Sequence, residues 1–223
     1  MRDYYERRAG EYDEWYLRLG RFANRVDPER WHSEVEMLRR RVSEFGAGRL
    51  LEIASGTGWW TQHLARRAAV MALDYSPAML AQVKARLTGA GLDAQRIRAD
   101  AYALPFQSGA FESCFTGFFL SHVPSVRMAA FLAEVRRVMR PHGLVMVIDS
   151  ALEGETSRAG EEFFQERTLN DGSRHQVLKI LHSAATLSAA LKPLGEVIEA
   201  WETGGFFAVA VMRVVKAAVT PSA

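Results

Sequence analysis

Short apolar segments alternate along this sequence with longer segments whose apolar residues recur at helical spacing, and this alternation restricts the fold more than any other feature. The clearest helix covers residues 126–139, where Phe131, Val135 and Val138 share one face. Strands that alternate with helices form a parallel sheet covered on both sides. The fold class is therefore α/β, with a Rossmann-like doubly wound sheet. The predicted parallel strands are 49–53, 69–74, 95–99, 111–119 and 144–149.

The last third of the chain departs from this alternation. Residues 201–203 and 206–215 predict two strands joined by a glycine turn, hence an antiparallel hairpin that closes the sheet. Asn170-Asp171-Gly172 predicts a second hairpin, inserted after the fifth strand. We expect seven strands in one domain, with a tail at 220–223 that frays. Its parts would be a helical lid at 1–45, a cofactor-binding core at 49–150, and a substrate-side insertion with the closing hairpin at 151–223.

Composition narrows the class further. The chain has 223 residues, 48% hydrophobic and 24% charged, which is typical of a globular protein. A single cysteine, Cys114, excludes an internal disulfide, and the six histidines lack the spacing of zinc sites, so we predict no metal. The longest apolar stretch, 205–215, is interrupted by Arg213 and is shorter than the ~20 residues of a membrane span. No apolar signal core follows Met1, so we expect a cytoplasmic protein without a membrane partner.

The charge pattern argues against a nucleic-acid partner. The 28 basic residues face 26 acidic ones, giving a net charge of +2. In the first helix, Arg7 and Arg8 stand beside Glu6 and Glu11, as expected for a solvated helix face with local pairing. A nucleic-acid groove needs a cluster of one sign. We therefore expect a small-molecule partner and a monomer or homodimer.

One segment carries the strongest functional signal. Residues 50–58 predict a strand that runs into a Gly-x-Gly turn, where Gly56 and Gly58 let a ligand approach the backbone. Asp74 ends the second strand, where a carboxylate can accept both hydroxyls of a ribose. Asp100 follows the third strand, in reach of an adenine amino group. Because parallel strands end at one edge of the sheet, these residues predict a nucleoside site.

Two features select S-adenosylmethionine over NAD as that nucleoside. A dinucleotide fingerprint needs a third glycine, but Thr61 stands there after two bulky tryptophans, Trp59 and Trp60. Glu52, just before the loop, would repel a pyrophosphate and favour a ligand with a cationic group. We therefore predict S-adenosylmethionine as the cofactor.

These segments resemble the motifs of the class I S-adenosylmethionine-dependent methyltransferases. Ser55 and Glu112 depart from the usual residues, and neither departure removes a binding group. Residues 4–13 resemble the lid of small-molecule members related to quinone-biosynthesis methyltransferases. The resemblance covers residues 1 to about 150 well and the remainder in outline. The matching segments are 51–58 for the first motif, 74–80 for the second, 100–106 for the third, 120–124 for the end of the fourth, and 138–144 for the turn before strand five.

The resemblance also implies which residues bind the cofactor. The glycines would line its methionine part, Asp74 would hold the ribose, and Tyr12 would reach the carboxylate from the lid. Tyr75 and Met79 would flank the adenine. The full predicted set is Tyr12, Glu52, Ser55, Gly56, Gly58, Trp59, Asp74, Tyr75, Ser76, Met79, Asp100, Ala101 and Phe118.

Methyl transfer is an in-line displacement, so the protein mainly aligns the acceptor and excludes water. If the acceptor is a hydroxyl, a base helps, and His122 after the fourth strand is the predicted base; packing after a strand is the alternative. Arg167 and His175 of the inserted hairpin, with Tyr16 and Phe119, are predicted substrate contacts, although surface ion pairing is the alternative for the hairpin residues.

The sequence thus predicts a methyltransferase that acts on a small organic acceptor, with oxygen favoured over nitrogen or carbon. Three other functions stay open. They are a nucleic-acid methyltransferase, a non-catalytic cofactor-binding module, and an NAD oxidoreductase.

Overall fold

The computed structural model describes residues 2–151 and 159–215. A seven-stranded sheet has the order β3-β2-β1-β4-β5-β9-β8. The first five strands are parallel to one another, and β9 pairs antiparallel with both β5 and β8. A separate two-stranded hairpin pairs β6 with β7. The strands are β1 Arg49–Ile53, β2 Ala69–Asp74, β3 Gln95–Arg98, β4 Phe111–Gly117, β5 Met139–Ser150, β6 Glu162–Thr168, β7 Arg174–Ile180, β8 Gly195–Glu202 and β9 Phe207–Val214.

Helices cover both faces of the sheet. Trp31, Leu38, Leu64 and Val83 from α3, α4 and α5 belong to the core on one face. The other face is covered by α6 and α7, so the predicted doubly wound arrangement is confirmed. The helices are α1 Arg2–Arg8, α2 Glu14–Leu17, α3 Pro28–Ser43, α4 Thr61–Leu64, α5 Pro77–Gly89, α6 Ser125–Val138 and α7 Ala184–Leu191.

The predicted parallel strands are confirmed, and their ends differ where the backbone changes direction. The fourth strand ends at Gly117, two residues early, because Phe118 takes the left-handed conformation with φ 59° and a 3-10 turn, Leu120–His122, follows. The fifth strand starts at Met139, earlier than predicted, because Met139 already pairs with Phe111 across the sheet.

Both hairpins form where turn residues predicted them. Asn170-Asp171-Gly172 joins β6 to β7, and Gly204-Gly205 joins β8 to β9. The outer strand β8 is longer than the predicted 201–203, since it starts at Gly195 and pairs with β9 along its length. Its three glutamates, Glu196, Glu199 and Glu202, suit an exposed edge strand. The predicted tail at 220–223 lies outside the described residues.

The N-terminal segment is less regular than predicted. The aromatic first helix is divided into α1 and α2, with turns at residues 9–13 between them. Arg8, expected on a solvated face, is only 5% exposed, because α1 packs over the sheet edge and the β6–β7 hairpin. No helix in the described ranges is long and apolar enough to cross a membrane.

Candidate functional site

The carboxyl ends of the parallel strands open into a cavity, called here the first cavity. Two non-glycine residues in its wall, Ala54 after β1 and Phe118 after β4, have positive φ angles of 55° and 59°. Non-glycine residues in this conformation cost energy and are concentrated at functional sites. Its wall includes most of the predicted cofactor residues: Tyr12, Gly56, Asp74, Tyr75, Ser76, Met79, Asp100, Ala101 and Phe118.

Asp74 organises the glycine loop at the bottom of this cavity. One carboxylate oxygen accepts the amide of Gly56 at 2.9 Å, and the other accepts the amide of Ser76 at 2.9 Å. Burial raises the pKa of Asp74, while these amides oppose the shift. Gly56 itself has φ +55° and lies beside the ring of Tyr12. The carboxylate therefore lies at the loop, with lone pairs remaining for a ligand's hydroxyl groups.

The far end of the first cavity is closed by Arg2 of α1. Its guanidinium pairs with the carboxylate of Asp100 at 2.6 Å and lies 3.8 Å from the ring centroid of Tyr75. The amide of Tyr102 donates to the other oxygen of Asp100 at 3.0 Å. Sequence reasoning missed Arg2, because nothing in the sequence places residue 2 beside residue 100.

Four predicted cofactor residues do not line the first cavity: Glu52, Ser55, Gly58 and Trp59. At Gly58, which has φ +79°, a Cβ would lie 3.0 Å from the Cα of Val83, so this glycine permits close packing of the loop on α5. The Trp59 ring stacks on Tyr16 at 4.4 Å. The Ser55 hydroxyl is buried without a partner among the described residues.

Glu52, on β1 just before the loop, is strongly perturbed. It is 1% exposed, and its Oε2 has no hydrogen-bond partner in the described part of the chain. Burial, reinforced by the charge of Asp74, raises its pKa to about 8. The sequence predicted Glu52 to be an anion, but in the folded chain burial keeps its carboxyl mostly protonated at neutral pH. Like Ser55, Glu112 departs from the residue usual in the family. Its carboxylate accepts a hydrogen bond from the Arg49 amide at 2.8 Å, at the opposite end of β1 from the loop.

A second cavity of about 380 Å³ adjoins the first. Tyr5, Tyr12, Phe118 and His122 line both cavities, so these side chains form the boundary between them. Residues of the N-terminal segment 4–26 line the second cavity on one side, and residues of the β6–β7 hairpin line it on another. Contacts hold these two elements together: Arg7 pairs with Asp171 at 2.6 Å, and the Asn170 amide donates to Glu11 at 2.8 Å.

His122 lies at this boundary, and its hydrogen bonds define its tautomer. Nδ1 lies 2.6 Å from the carbonyl oxygen of Leu178, which can only accept, so Nδ1 carries the proton. Nε2 is then the acceptor for the hydroxyl of Tyr5 at 2.8 Å. Burial, together with the nearby charges of Lys179 and Arg167, holds the pKa of His122 well below its usual value. The ring is neutral at physiological pH, with its lone pair directed to the boundary.

A buried ion pair anchors the turn that carries His122. Lys179 of β7 lies 3.5 Å from Asp149 of β5 and donates to the hydroxyls of Ser121 at 2.9 Å and Ser150 at 3.0 Å. The other oxygen of Asp149 accepts the amide of Ser121 at 2.8 Å. The sequence analysis missed this pair. The available signal was that Asp149 and Lys179 are each the single charged residue in an apolar segment, 144–149 and 177–180.

Two of the four predicted substrate contacts line the two cavities, and the other two do not. Arg167 lines the second cavity, and Phe119 lines the first. His175 packs on the ring of Tyr4 at 5.2 Å, and the Tyr16 hydroxyl accepts from the indole of Trp60 at 3.0 Å; neither lines a cavity. No cluster of three or more potential ligands for a metal is present in residues 2–151 and 159–215.

Comparisons with known proteins identify relatives of this chain. Residues 50–143 match the model of a family described as a methyltransferase domain. The chain is 33% identical over 145 residues to a protein named ubiquinone/menaquinone biosynthesis C-methyltransferase from Desulfotalea psychrophila (strain LSv54 / DSM 12343). That match covers 64% of this chain and 54% of the relative, so the chain spans about half the length of this curated relative.

Two solved structures resemble nearly the whole chain. One, described as "DhpI-SAM-HEP complex", is 30% identical with a TM-score of 0.73, and the match covers 94% of both chains. The other, "DhpI-SAH complex structure", is 29% identical with a TM-score of 0.72, and the match covers 96% of this chain and 95% of that one. The likeness therefore includes the lid and the inserted hairpin as well as the sheet.

Proposed function

Because this chain belongs to the class I S-adenosylmethionine-dependent methyltransferases, we propose that it transfers a methyl group to a hydroxyl oxygen of a small organic acceptor. His122 accepts the proton that the hydroxyl loses. One observation carries this proposal: a neutral histidine, whose Nε2 accepts from the Tyr5 hydroxyl, lies between two adjoining cavities. The first cavity would hold the cofactor and the second the acceptor.

S-adenosylmethionine is the cofactor of this family, as the sequence predicted. The residues of the first cavity fit it, because two carboxylates, Asp74 and Asp100, stand at the sheet edge beside the open backbone of Gly56. Asp74 would hold the ribose, Asp100 the adenine amino group, and Tyr12 the methionine end. The cofactor supplies an electrophilic methyl group on a sulfonium centre.

The protein's own contribution is alignment, exclusion of water and removal of a proton. Nε2 of His122 accepts the acceptor's proton as the oxygen attacks, and the Leu178 carbonyl stabilises the resulting imidazolium through Nδ1. Tyr5 now donates to Nε2, so the acceptor hydroxyl either takes its place or passes the proton through it. The closed lid keeps water from the reacting groups.

Methylation of a carbon atom is the second candidate. The name of the Desulfotalea relative favours it, since that protein is called a C-methyltransferase. Carbon methylation of a phenol or quinol ring also uses a base, because ionisation of the hydroxyl activates the ring. The position of His122 suits both reactions, and the product distinguishes them.

The test is a methyl-transfer assay with the purified chain and S-adenosylmethionine that carries a deuterated methyl group. Phenols, aliphatic alcohols, hydroxy acids and quinols are offered, and mass spectrometry with fragmentation locates the label. We expect a methyl ether. A label on a ring carbon would favour the second candidate, and transfer to RNA or DNA alone would contradict both.

Replacing Asp74 with alanine is expected to weaken S-adenosylhomocysteine binding by about 1 to 3 kcal/mol, because hydrogen bonds to a charged acceptor are lost. Isothermal titration calorimetry measures the effect, and thermal denaturation verifies that the loop still folds. Asp93→Ala, at a carboxylate whose side chain is 93% exposed, is the matched control. Equal affinity in the two variants would contradict the ribose assignment.

Replacing Arg2 with alanine is expected to increase the cofactor off-rate several-fold. The variant loses an exposed ion pair with Asp100 and a cation–π contact with Tyr75, each worth at most about 1 kcal/mol at an exposed site. Stopped-flow fluorescence gives the rate, with Arg213→Gln as the control. An off-rate that is unchanged or slower would show that Arg2 does not retain the cofactor.

A further inference from the structure

The second cavity is strongly basic for a site beside a cationic cofactor. The basic residues that line it are Arg8, Arg18, Arg21, Arg25, Arg167 and Lys179, against two carboxylates, Glu11 and Glu166. Glu11 accepts the amide of Asn170, and Glu166 lies 3.6 Å from Arg174, outside the cavity wall. Lys179 is paired with Asp149. The positive charge of the arginines is therefore not balanced by the carboxylates of the same wall.

Arg8 is the buried arginine of this group of positively charged residues. It is 5% exposed and donates to the hydroxyl of Tyr4 at 3.0 Å. Its guanidinium carbon lies 4.7 Å from the ring centroid of Tyr12 and 5.6 Å from that of Phe22. None of the described carboxylates forms an ion pair with it. Aromatic faces stabilise such a cation only in part, and a buried charge without a counterion is costly.

Arg167 approaches the same place from the inserted hairpin. Its Nε donates to the side-chain oxygen of Gln165 at 3.1 Å, and its guanidinium carbon lies 6.0 Å from the Tyr4 ring that Arg8 also contacts. It too has no carboxylate partner among the described residues. The lid and the hairpin thus place two guanidinium groups around one tyrosine, beside the Tyr5 and His122 pair.

We propose that the methyl acceptor carries an oxyanion, either a carboxylate or a phosphate-type group, and that Arg8 and Arg167 hold this group while the acceptor hydroxyl faces His122. Planar guanidinium groups bind such oxygens through two parallel hydrogen bonds, which orient as well as attract. The inference rests on the proposed methyl transfer for the role of the site, and its binding step can be measured without turnover.

The test uses the full chain saturated with S-adenosylhomocysteine, which leaves no methyl group to transfer. Calorimetry measures the binding of inorganic phosphate, benzoate and benzamide, the last being the neutral counterpart of benzoate. We expect at least one anion to bind and benzamide to bind at least about 10-fold more weakly than benzoate if the carboxylate is the group recognised. Phosphate binding without benzoate binding would assign the site to phosphate-type acceptors.

Variants connect the anion to the two arginines. Arg167→Gln, at a half-buried position, is expected to weaken anion binding by about 10- to 100-fold and to leave S-adenosylhomocysteine binding unchanged. Arg8→Gln should act in the same direction, and Arg8→Lys should retain part of the affinity because it keeps the charge. Arg40→Gln, on the exposed side of α3, is the matched control. Circular dichroism verifies the fold of each variant.

The results separate the two proposals. Absence of saturable binding by either anion, or binding that is equal in wild type and Arg167→Gln, overturns the oxyanion site. Methylation of neutral hydroxyl compounds as fast as of their counterparts that carry a carboxylate or phosphate overturns it as well, while the proposed function stands. Anion binding that depends on Arg167, in a protein that methylates no hydroxyl compound, supports the site and contradicts the proposed O-methylation instead.

Discussion

The His122→Ala variant is expected to transfer methyl groups to a hydroxyl acceptor about 100-fold more slowly than the wild type, or slower still, with little change in cofactor affinity. The reason is the loss of a neutral base whose lone pair is already directed to the boundary of the two cavities. Because the pKa of His122 is held well below its usual value, the wild-type rate should show no protonation step near pH 6.5.

Single-turnover kinetics with saturating S-adenosylmethionine measures the chemical step directly. His63→Ala is the matched control, since His63 lies on α4 and lines neither cavity. Tyr5→Phe separates two roles for the Tyr5 hydroxyl: a large loss indicates that it relays the proton, and a small one that the acceptor displaces it. A wild-type rate in His122→Ala would leave His122 with a packing role only.

The Glu52→Gln variant is expected to be more stable than the wild type at alkaline pH and to lose less stability than the wild type as the pH rises from 5 to 9. The folded protein raises the pKa of Glu52 to about 8, whereas an unfolded chain leaves it near the ordinary glutamate value. The folded state therefore binds more protons between these values. Stability due to Glu52 is complete below the unfolded pKa and is lost as the pH rises through about 8.

The effect is large because each pKa unit corresponds to about 1.4 kcal/mol, so Glu52 alone can lower the free energy of unfolding by several kcal/mol between pH 5 and pH 9. Urea denaturation at a series of pH values measures it in the ligand-free protein. Glu44→Gln, at an exposed position after α3, is the control. Parallel pH profiles for Glu52→Gln and wild type would show that Glu52 keeps an ordinary pKa in the folded state.

Local signals were sufficient to predict most of the sheet. The strands β1 and β2 have the predicted bounds, because a continuous apolar run followed by a glycine turn or a cap determines both ends. Asp74 and Asp100 were found for a topological reason, since parallel strands end at one edge. The predicted end of β4 was wrong because the left-handed conformation of Phe118 depends on its neighbours. One of them is Ile148, whose carbonyl oxygen accepts a hydrogen bond from the Phe118 amide.

The missed residues depend on contacts between distant parts of the chain. Arg8 looked like one charge among several on an exposed helix, but the folded N-terminal segment buries it among Tyr4, Tyr12 and Phe22. Glu52 was correctly placed near the loop, but its protonation depends on the depth of burial, which spacing does not reveal. Tyr5 belonged to a recognised aromatic segment, yet its bond to His122 joins residues 117 positions apart.

Helix α1 contacts both cavities at once. Arg2 lines the first cavity and pairs with Asp100, Arg8 lines the second, and Arg7 pairs with Asp171 of the inserted hairpin. If the first cavity holds the cofactor and the second the acceptor, as proposed above, both lie beside the same seven residues, and we expect release of the demethylated cofactor and of the methylated product to depend on movement of this helix. To obtain a faster turnover by directed evolution, we would therefore first vary the contacts that hold this helix, such as the ion pair of Arg7 with Asp171. Changes to the groups that perform the chemistry would come second.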